Sequence, residues 1–175
     1  REMLGPVTPR PGQTPDEAPE QGGNTAWLEW ISGGLSSNLW RAVIRPPRHE
    51  YGLECLGRPH FSVAGRQFER EDLQLQGARG ERLECSHYRR KAKAPLPPRP
   101  CVVYLHGCSS SRLEVFDVLH NLLSHDLDVF SLDFAGSGRS EGEYISLGHY
   151  EERDLGAVIR YLRKSGSVSA IGFWG

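Results

Sequence analysis

The C-terminal part of the chain alternates between short, largely apolar runs and longer stretches whose apolar residues recur every three or four positions. The short runs are 101–105, 129–132 and 170–174. Such runs are typical of strands buried on both faces of a sheet. The longer stretches around 115–123 and 155–162 each carry one apolar face, which is typical of helices packed on a sheet. Strands that alternate with helices predict an α/β fold with a mostly parallel sheet and right-handed crossovers.

An antiparallel hairpin is predicted ahead of this series. Residues 68–75 alternate loosely between apolar and polar side chains, 77–80 contains glycines that suit a turn, and 82–88 runs back. The proline-rich segment 94–100 then predicts a stiff connector. A ligand for a proline-binding domain is the alternative for the same residues.

The N-terminal part differs in composition. Residues 1–25 are predicted to form a disordered tail, because their prolines, glycines and acidic residues leave little apolar surface to bury. Residues 26–66 are predicted to be a helical extension and linker, since the apolar residues of 26–45 follow a helical period that Pro46 and Pro47 end. The favoured interpretation is a helix packed on the domain. Contact with a membrane surface or a partner is the alternative, although basic residues are sparse for a membrane-surface helix.

Composition narrows the functional classes. The formal net charge of -1 gives no reason to expect a nucleic-acid partner. No apolar run approaches the roughly 20 residues of a membrane helix. The cysteines form no CxxC pair, so no metal site is expected, and Cys85 and Cys101 lie in apolar runs that predict buried, reduced thiols. These features favour a cytoplasmic protein that needs no metal or cofactor.

The first candidate site follows the run 101–105 directly and reads His106-Gly107-Cys108. Gly107 allows the chain to turn sharply, and a turn there can aim backbone N–H groups into the crevice where α/β sheets bind ligands. Amides held in that way can stabilise an oxyanion during acyl transfer. His106 is interpreted as a residue that shapes this turn. In the alternative, Cys108 lies near a helix N-terminus and is a nucleophile with His106 as its base.

A second glycine-rich segment, 133–142, follows the next apolar run. Its glycines at 136, 138 and 142 miss the G-x-G-x-x-G spacing by one residue, and no helix is predicted to open directly after them. Dinucleotide binding is therefore disfavoured. Asp133 and Ser140 are expected to hydrogen-bond the turn rather than to react.

The end of the chain suggests a third motif. If the last strand closes at Trp174, Gly175 is where a G-x-S-x-G nucleophile elbow would begin, with the serine two residues further on. This ending, and a first residue other than methionine, lead us to expect an incomplete chain, truncated before the elbow. Such a chain is expected to be inactive alone and poorly soluble, because an apolar strand edge would stay unpaired.

Taken in order, these segments resemble the α/β-hydrolase superfamily. The resemblance covers about residues 67–175, which would be the N-terminal half of that fold, and 134–142 looks most like the serine-aminopeptidase-like and Bem46-like branch. It implies a Ser-His-Asp mechanism in which histidine deprotonates serine, an acyl-enzyme forms and water releases it. In family order the acid and the histidine follow the serine, so none of the histidines in this sequence is implied as the base.

The resemblance also implies a role for the residue after His-Gly, whose backbone N–H contributes to the oxyanion hole. That residue is Cys108 here, where the family often has Asn. The implied reaction is hydrolysis of an ester, thioester or amide in a small-molecule or acylated substrate. A non-catalytic binding or scaffold protein of the same fold is the alternative, and the sequence beyond Gly175 would distinguish the two.

Overall fold

A computed structural model of the protein describes residues 43–175. The predicted tail over 1–25 lies outside the described residues. So does most of the predicted helix, and with it the proposed membrane-surface contact. Across 43–175, no helix has both the length and the apolar character needed to cross a membrane.

Six strands and two α-helices lie wholly within the described part of the chain. The strands are β1 (His60–Val63), β2 (Arg66–Gln76), β3 (Arg82–Arg90), β4 (Arg99–Tyr104), β5 (Asp128–Leu132) and β6 (Val168–Trp174). The α-helices are α1 (Phe116–Ser124) and α2 (Glu151–Ser165), and short 3-10 helices lie at Leu53–Leu56 and Arg112–Val115. The strands form one sheet in the order β1-β2-β3-β5-β4-β6.

The local predictions for the hairpin, the later strands and both helices are confirmed. β2 and β3 pair antiparallel from Phe68 opposite Arg90 to Gln76 opposite Arg82. The helix α2 ends where Gly166 adopts a left-handed conformation with φ of 67°, which a glycine adopts without steric cost. Ahead of α1, the Ser111 hydroxyl accepts a hydrogen bond from the Leu113 N–H and so caps the second 3-10 helix.

The prediction of a mostly parallel sheet is wrong for the described residues, where the sheet is mixed. β5 pairs parallel with β4, and β4 with β6. The pairings β1–β2, β2–β3 and β3–β5 are antiparallel. Two causes act together: the return strand of the hairpin joins the same sheet beside β5, and β1 adds a further antiparallel edge from within the segment predicted as a linker.

Strand β1 was missed because its connection to β2 carries a weak turn signal. The two residues between the strands, Ala64 and Gly65, have φ of 47° and 74°. Positive φ at both positions is the geometry of a tight type I′ hairpin, which is usually signalled by Asn-Gly or Asp-Gly. Ala-Gly adopts it here, and this lets Phe61 lie opposite Phe68.

Two apolar clusters cover the two faces of the sheet. On one face Val103, Phe130 and Leu132 pack against α2 through Val158 and Leu162. On the other face the cluster includes Val63, Phe68, Tyr88, Val129, Val115, Leu119 and Leu123, so that α1 covers it. The connections after β4 and β5 therefore leave the sheet toward opposite faces. In α/β sheets a crevice opens at the carboxyl ends of strands where the connections diverge in this way.

Candidate active site

Both glycine-containing segments lie at one rim of the sheet, as the sequence predicts. Because β4 and β5 are adjacent and parallel, their carboxyl ends meet at the same edge. We name the segment after β4 the His106 loop (105–111) and the segment after β5 the Asp133 loop (133–142). Any site built from backbone amides of the first loop is therefore bordered by the second.

His106 joins the two loops through its ring. The buried imidazole accepts a hydrogen bond from the Phe134 N–H at Nε2 (3.1 Å), and its Nδ1 lies 2.7 Å from the Gly107 carbonyl oxygen. An amide N–H can only donate and a carbonyl can only accept, so Nε2 is unprotonated and Nδ1 carries the proton. Both nitrogens are thereby engaged, which leaves neither available to take a proton from a nucleophile.

Glu114 holds the Gly107 amide of the His106 loop. The Gly107 N–H donates to Glu114 Oε2 and the Tyr104 hydroxyl donates to Oε1, both at 3.1 Å. Burial alone would raise the pKa of the Glu114 carboxyl, but hydrogen bonds from Ser110, Gly107 and Tyr104 together lower it. Within residues 43–175 the next amide, that of Cys108, makes no hydrogen bond, so it is the amide of this pair that a ligand could use.

Asp133 and Ser140 bind the backbone of the turn, as the sequence predicts. The buried Asp133 carboxylate accepts from the Arg112 N–H at Oδ1 (2.7 Å) and from the Arg139 N–H at Oδ2 (3.0 Å). The Ser140 hydroxyl donates to the Asp133 carbonyl oxygen at 2.6 Å. Gly138 has φ of 48°, and a Cβ there would lie 2.4 Å from the carboxylate, so this position requires glycine.

An apolar cleft of about 260 Å³ opens between the two loops and the segment that leads into α2. Cys108 lines it beside the apolar side chains Leu105, Phe134, Ile145 and Leu147. Leu147 is 62% exposed and has φ of 52°, a backbone conformation that L residues rarely adopt. This wall cannot be predicted from the sequence, because its residues lie in a loop without periodicity.

The end of β6 lies against the His106 loop. The Leu105 N–H donates to the Trp174 carbonyl oxygen at 2.8 Å. A Cβ on Gly175 would lie 2.9 Å from the Leu105 carbonyl oxygen, so the close approach of the two chains requires glycine at this position. The carboxyl end of β6 therefore lies beside Leu105, which also lines the cleft.

The structure does not bring together the pair needed for a cysteine–histidine nucleophile at Cys108. The nearest polar partner of the Cys108 thiol in the described part of the chain is the Ser109 hydroxyl at 3.9 Å, and both His106 nitrogens are bonded to backbone. Buried Cys101 and His87 do approach each other, at 4.0 Å. Burial raises the pKa of the Cys101 thiol to about 12 and, with help from Arg89, lowers that of His87 to about 3, so this pair is neutral.

The described residues bear on two other kinds of site, one for a dinucleotide and one for a metal ion. After Gly142 the chain continues as a loop until α2 begins at Glu151, so no helix opens directly after the glycines as dinucleotide binding would need. Among residues 43–175, no group of three or more His, Cys, Asp or Glu side chains is arranged to hold a metal ion.

A hairpin followed by β4-α1-β5-α2-β6, with helices on both faces and two loops at the carboxyl rim, is the architecture of an α/β-hydrolase fold. The chain is similar to the esterase Pf2001 of Pyrococcus furiosus, with 23% identity and a TM-score of 0.58 over 74% of this chain and 47% of the esterase. It is also similar to Est1E of Butyrivibrio proteoclasticus, a structure with bound ferulic acid (20% identity, TM-score 0.51, 59% of this chain and 41% of that one).

A third solved structure, the hypothetical protein PA2218 of Pseudomonas aeruginosa, matches with 13% identity and a TM-score of 0.51 over 65% of this chain and 36% of that protein. These likenesses show the fold. The chain spans less than half the length of each of these three structures. Neither protein-family models nor curated protein sequences gave a match.

Proposed function

We propose that this chain forms the N-terminal part of a serine hydrolase that cleaves esters, thioesters or amides through an acyl-enzyme. The observation that carries the proposal is the position of the Cys108 amide: it has no partner among the described residues, lines the apolar cleft, and belongs to the loop against which Gly175 packs. The sequence of 134–142 supports the serine-aminopeptidase-like and Bem46-like branch.

In the proposed mechanism, the segment that follows Gly175 in the whole protein supplies the serine, and later segments supply the histidine and the acid. The serine oxygen attacks the carbonyl carbon while its proton passes to the histidine, and the Cys108 N–H donates to the oxygen that gains the negative charge. The histidine returns the proton to the leaving alcohol, thiol or amine. Water then repeats these steps on the acyl-enzyme and releases the acid.

The lining of the cleft indicates the kind of group that is bound. Leu105, Phe134, Ile145 and Leu147 offer apolar surface, and Glu151 turns its carboxylate toward Ser146 and the Gly148 N–H rather than presenting a free charge. We therefore propose an uncharged, apolar group next to the scissile carbonyl. His106 would act by holding the loop, because its ring nitrogens are both engaged.

Two variants of Cys108 in the full-length protein test this proposal. Cys108→Ala keeps the backbone N–H and removes the thiol, so hydrolysis of p-nitrophenyl butyrate should stay within about twofold of wild type. Cys108→Pro removes the N–H, and the loss of one oxyanion donor should lower kcat by about 10²–10³-fold. Circular dichroism melting of both variants controls for folding.

Other outcomes would overturn the proposal. An inactive Cys108→Ala would identify the thiol as the reacting group. A full-length protein that neither hydrolyses the ester nor reacts with a fluorophosphonate probe would support the non-catalytic binding protein instead.

A further inference from the structure

The segment ahead of the first strand lies across both loops of the candidate site. We name residues 44–51 the strap. Its Ile44 carbonyl oxygen accepts from the Ile145 N–H at 2.8 Å. Its Arg48 guanidinium donates to the carbonyl oxygens of Ser140, at 2.9 Å, and of Gly142. The sequence predicts the end of a helix and a linker here, and the proposed mechanism assigns these contacts no role.

Tyr51 is the point where the strap reaches the interior. Its hydroxyl donates to Asp133 Oδ2 at 2.5 Å and accepts from Arg112 Nε at 2.7 Å. Burial and then the hydrogen bond to Asp133 raise the pKa of the Tyr51 phenol, so it stays neutral and can serve as donor and acceptor at once. Asp133 and Arg112 are both fully buried, and their closest charged atoms are 3.8 Å apart. The phenol thus bridges a buried ion pair that has no direct hydrogen bond between its side chains.

The Asp133 carboxylate, which Tyr51 bridges to Arg112, also binds two backbone amides at the rim of the sheet. Oδ1 accepts from the Arg112 N–H, in the residue that follows the His106 loop, and Oδ2 accepts from the Arg139 N–H in the Asp133 loop. The strap binds the same segment a second time, because the Ser111 hydroxyl lies 3.0 Å from Nδ1 of His49. Moving the carboxylate would therefore move the backbone that directly follows the His106 loop and the backbone of the Asp133 loop.

We propose that Tyr51 is a positioning residue that holds the Cys108 amide in place through Asp133 and Arg112. This inference rests on the proposed function for its effect on catalysis. The Tyr51→Phe variant removes only the bridging oxygen and keeps the ring. A displacement of about 1 Å in a reacting constellation can lower the rate about 10²-fold, so we expect kcat to fall roughly 10- to 100-fold. KM should change less than about twofold, because the apolar walls of the cleft are untouched.

The matched control is Tyr144→Phe. Within the described range the Tyr144 hydroxyl makes no side-chain hydrogen bond, and the residue is 39% exposed. Both variants are made in the full-length protein and compared with wild type by steady-state hydrolysis of p-nitrophenyl butyrate. Amide hydrogen exchange, followed by mass spectrometry, is measured on peptides covering 107–113, 134–142 and the core strand 128–132.

The expected result is faster exchange in 107–113 and 134–142 for Tyr51→Phe alone, with 128–132 unchanged and kcat reduced. Equal behaviour of the two variants, or faster exchange in all three peptides, would overturn the positioning role, since the second pattern is general destabilisation. An inactive wild-type protein would overturn the proposed function and the catalytic effect of Tyr51. Even then, the exchange data would decide whether Tyr51 holds the two loops.

Discussion

At the scale of single residues, Leu147 combines an unfavourable backbone with an exposed apolar side chain. A left-handed conformation costs an L residue about 1–2 kcal/mol, and Leu147 adopts it with φ of 52°. The surrounding hydrogen bonds enforce it: the carboxylate of Glu151 accepts from the N–H groups of Ser146 and Gly148 on either side, and from the Ser146 hydroxyl. Strain of this kind is often found at ligand sites.

Leu147→Gly removes both the apolar side chain and the strain of the left-handed backbone, and the two losses affect different measurements. Glycine removes the strain of the left-handed conformation, which stabilises the folded state by about 1–2 kcal/mol. It also makes the unfolded chain more flexible, which destabilises the folded state by about 0.5–1 kcal/mol. The free energy of unfolding should therefore rise by about 0.5 kcal/mol. The kcat/KM of the full-length protein for p-nitrophenyl hexanoate should fall roughly fivefold, because an apolar contact with the substrate is lost. Urea unfolding and steady-state kinetics measure the two effects.

The control for this variant is Leu147→Ala, which removes the contact and keeps the strain. It should show the same kinetic loss without the gain in stability, and p-nitrophenyl acetate should be affected little by either variant. If both variants hydrolyse the hexanoate as wild type does, Leu147 does not contact the substrate.

The roles of residues whose partners are close along the chain can be predicted from the sequence. The turn role of Asp133 and Ser140 could be predicted because a glycine-rich turn after a strand needs local hydrogen bonds. Tyr51 and Arg112 could not be identified in the same way. Tyr51 lies 82 residues from Asp133 and 61 from Arg112, and no periodic pattern joins them. That Arg112 is buried in an ion pair with Asp133 becomes apparent only from the three-dimensional structure.

At the scale of elements, hydrophobic periodicity located the hairpin, three later strands and two helices, but not how the strands pair. β5 is buried along its length, and the sequence pattern of such a strand is the same whether its neighbours are parallel or antiparallel. The pairing of β3 with β5 depends on the hairpin folding back onto the sheet, which is a long-range event. For that reason the sequence predicts more parallel strand pairing than the described sheet contains.

The outer edge of β6 gives a prediction for this element. Among the described residues β6 pairs only with β4, and its Phe173 and Trp174 are 52% and 50% exposed. An unpaired edge with apolar side chains is prone to associate with other chains. The 175-residue chain should therefore self-associate at micromolar concentrations in sedimentation velocity experiments.

Phe173→Lys should lower that association by about tenfold, because a charge at an edge strand opposes pairing with a second chain. The matched control is Leu53→Lys, which places the same charge at a residue of similar exposure (51%) in the first 3-10 helix. Equal association of the two variants and of the wild-type chain would show that β6 is not the contact.

At the scale of the whole molecule, the seam between β3 and β5 joins the antiparallel part of the sheet to the parallel part. His87 lies at this seam opposite Phe130, with its ring centroid 5.4 Å from that of Phe130. Burial, and to a smaller extent the charge of Arg89, lower the pKa of His87 from 6.5 to about 3. The histidine is therefore neutral in the folded protein at any pH above this value.

This shift makes global stability depend on pH. Between pH 6.5 and about 3 the unfolded chain binds a proton at His87 that the folded chain does not bind, so the free energy of unfolding must fall as the pH decreases. The slope contributed by this one group approaches about 1.4 kcal/mol per pH unit and vanishes above pH 6.5 and below 3. Carboxylates with lowered pKa values, such as Glu114 and Glu151, add to the loss at the acidic end.

His87→Leu tests the origin of this dependence, because leucine has a similar volume and no titrating group. Urea unfolding from pH 7 to 5, above the range in which most carboxylates titrate, should show a steeper decline for wild type than for His87→Leu. His120→Leu, at an exposed position on α1, should behave as wild type. Parallel profiles for wild type and His87→Leu would mean that the seam accommodates a protonated histidine, and that acid stability is set by groups other than His87.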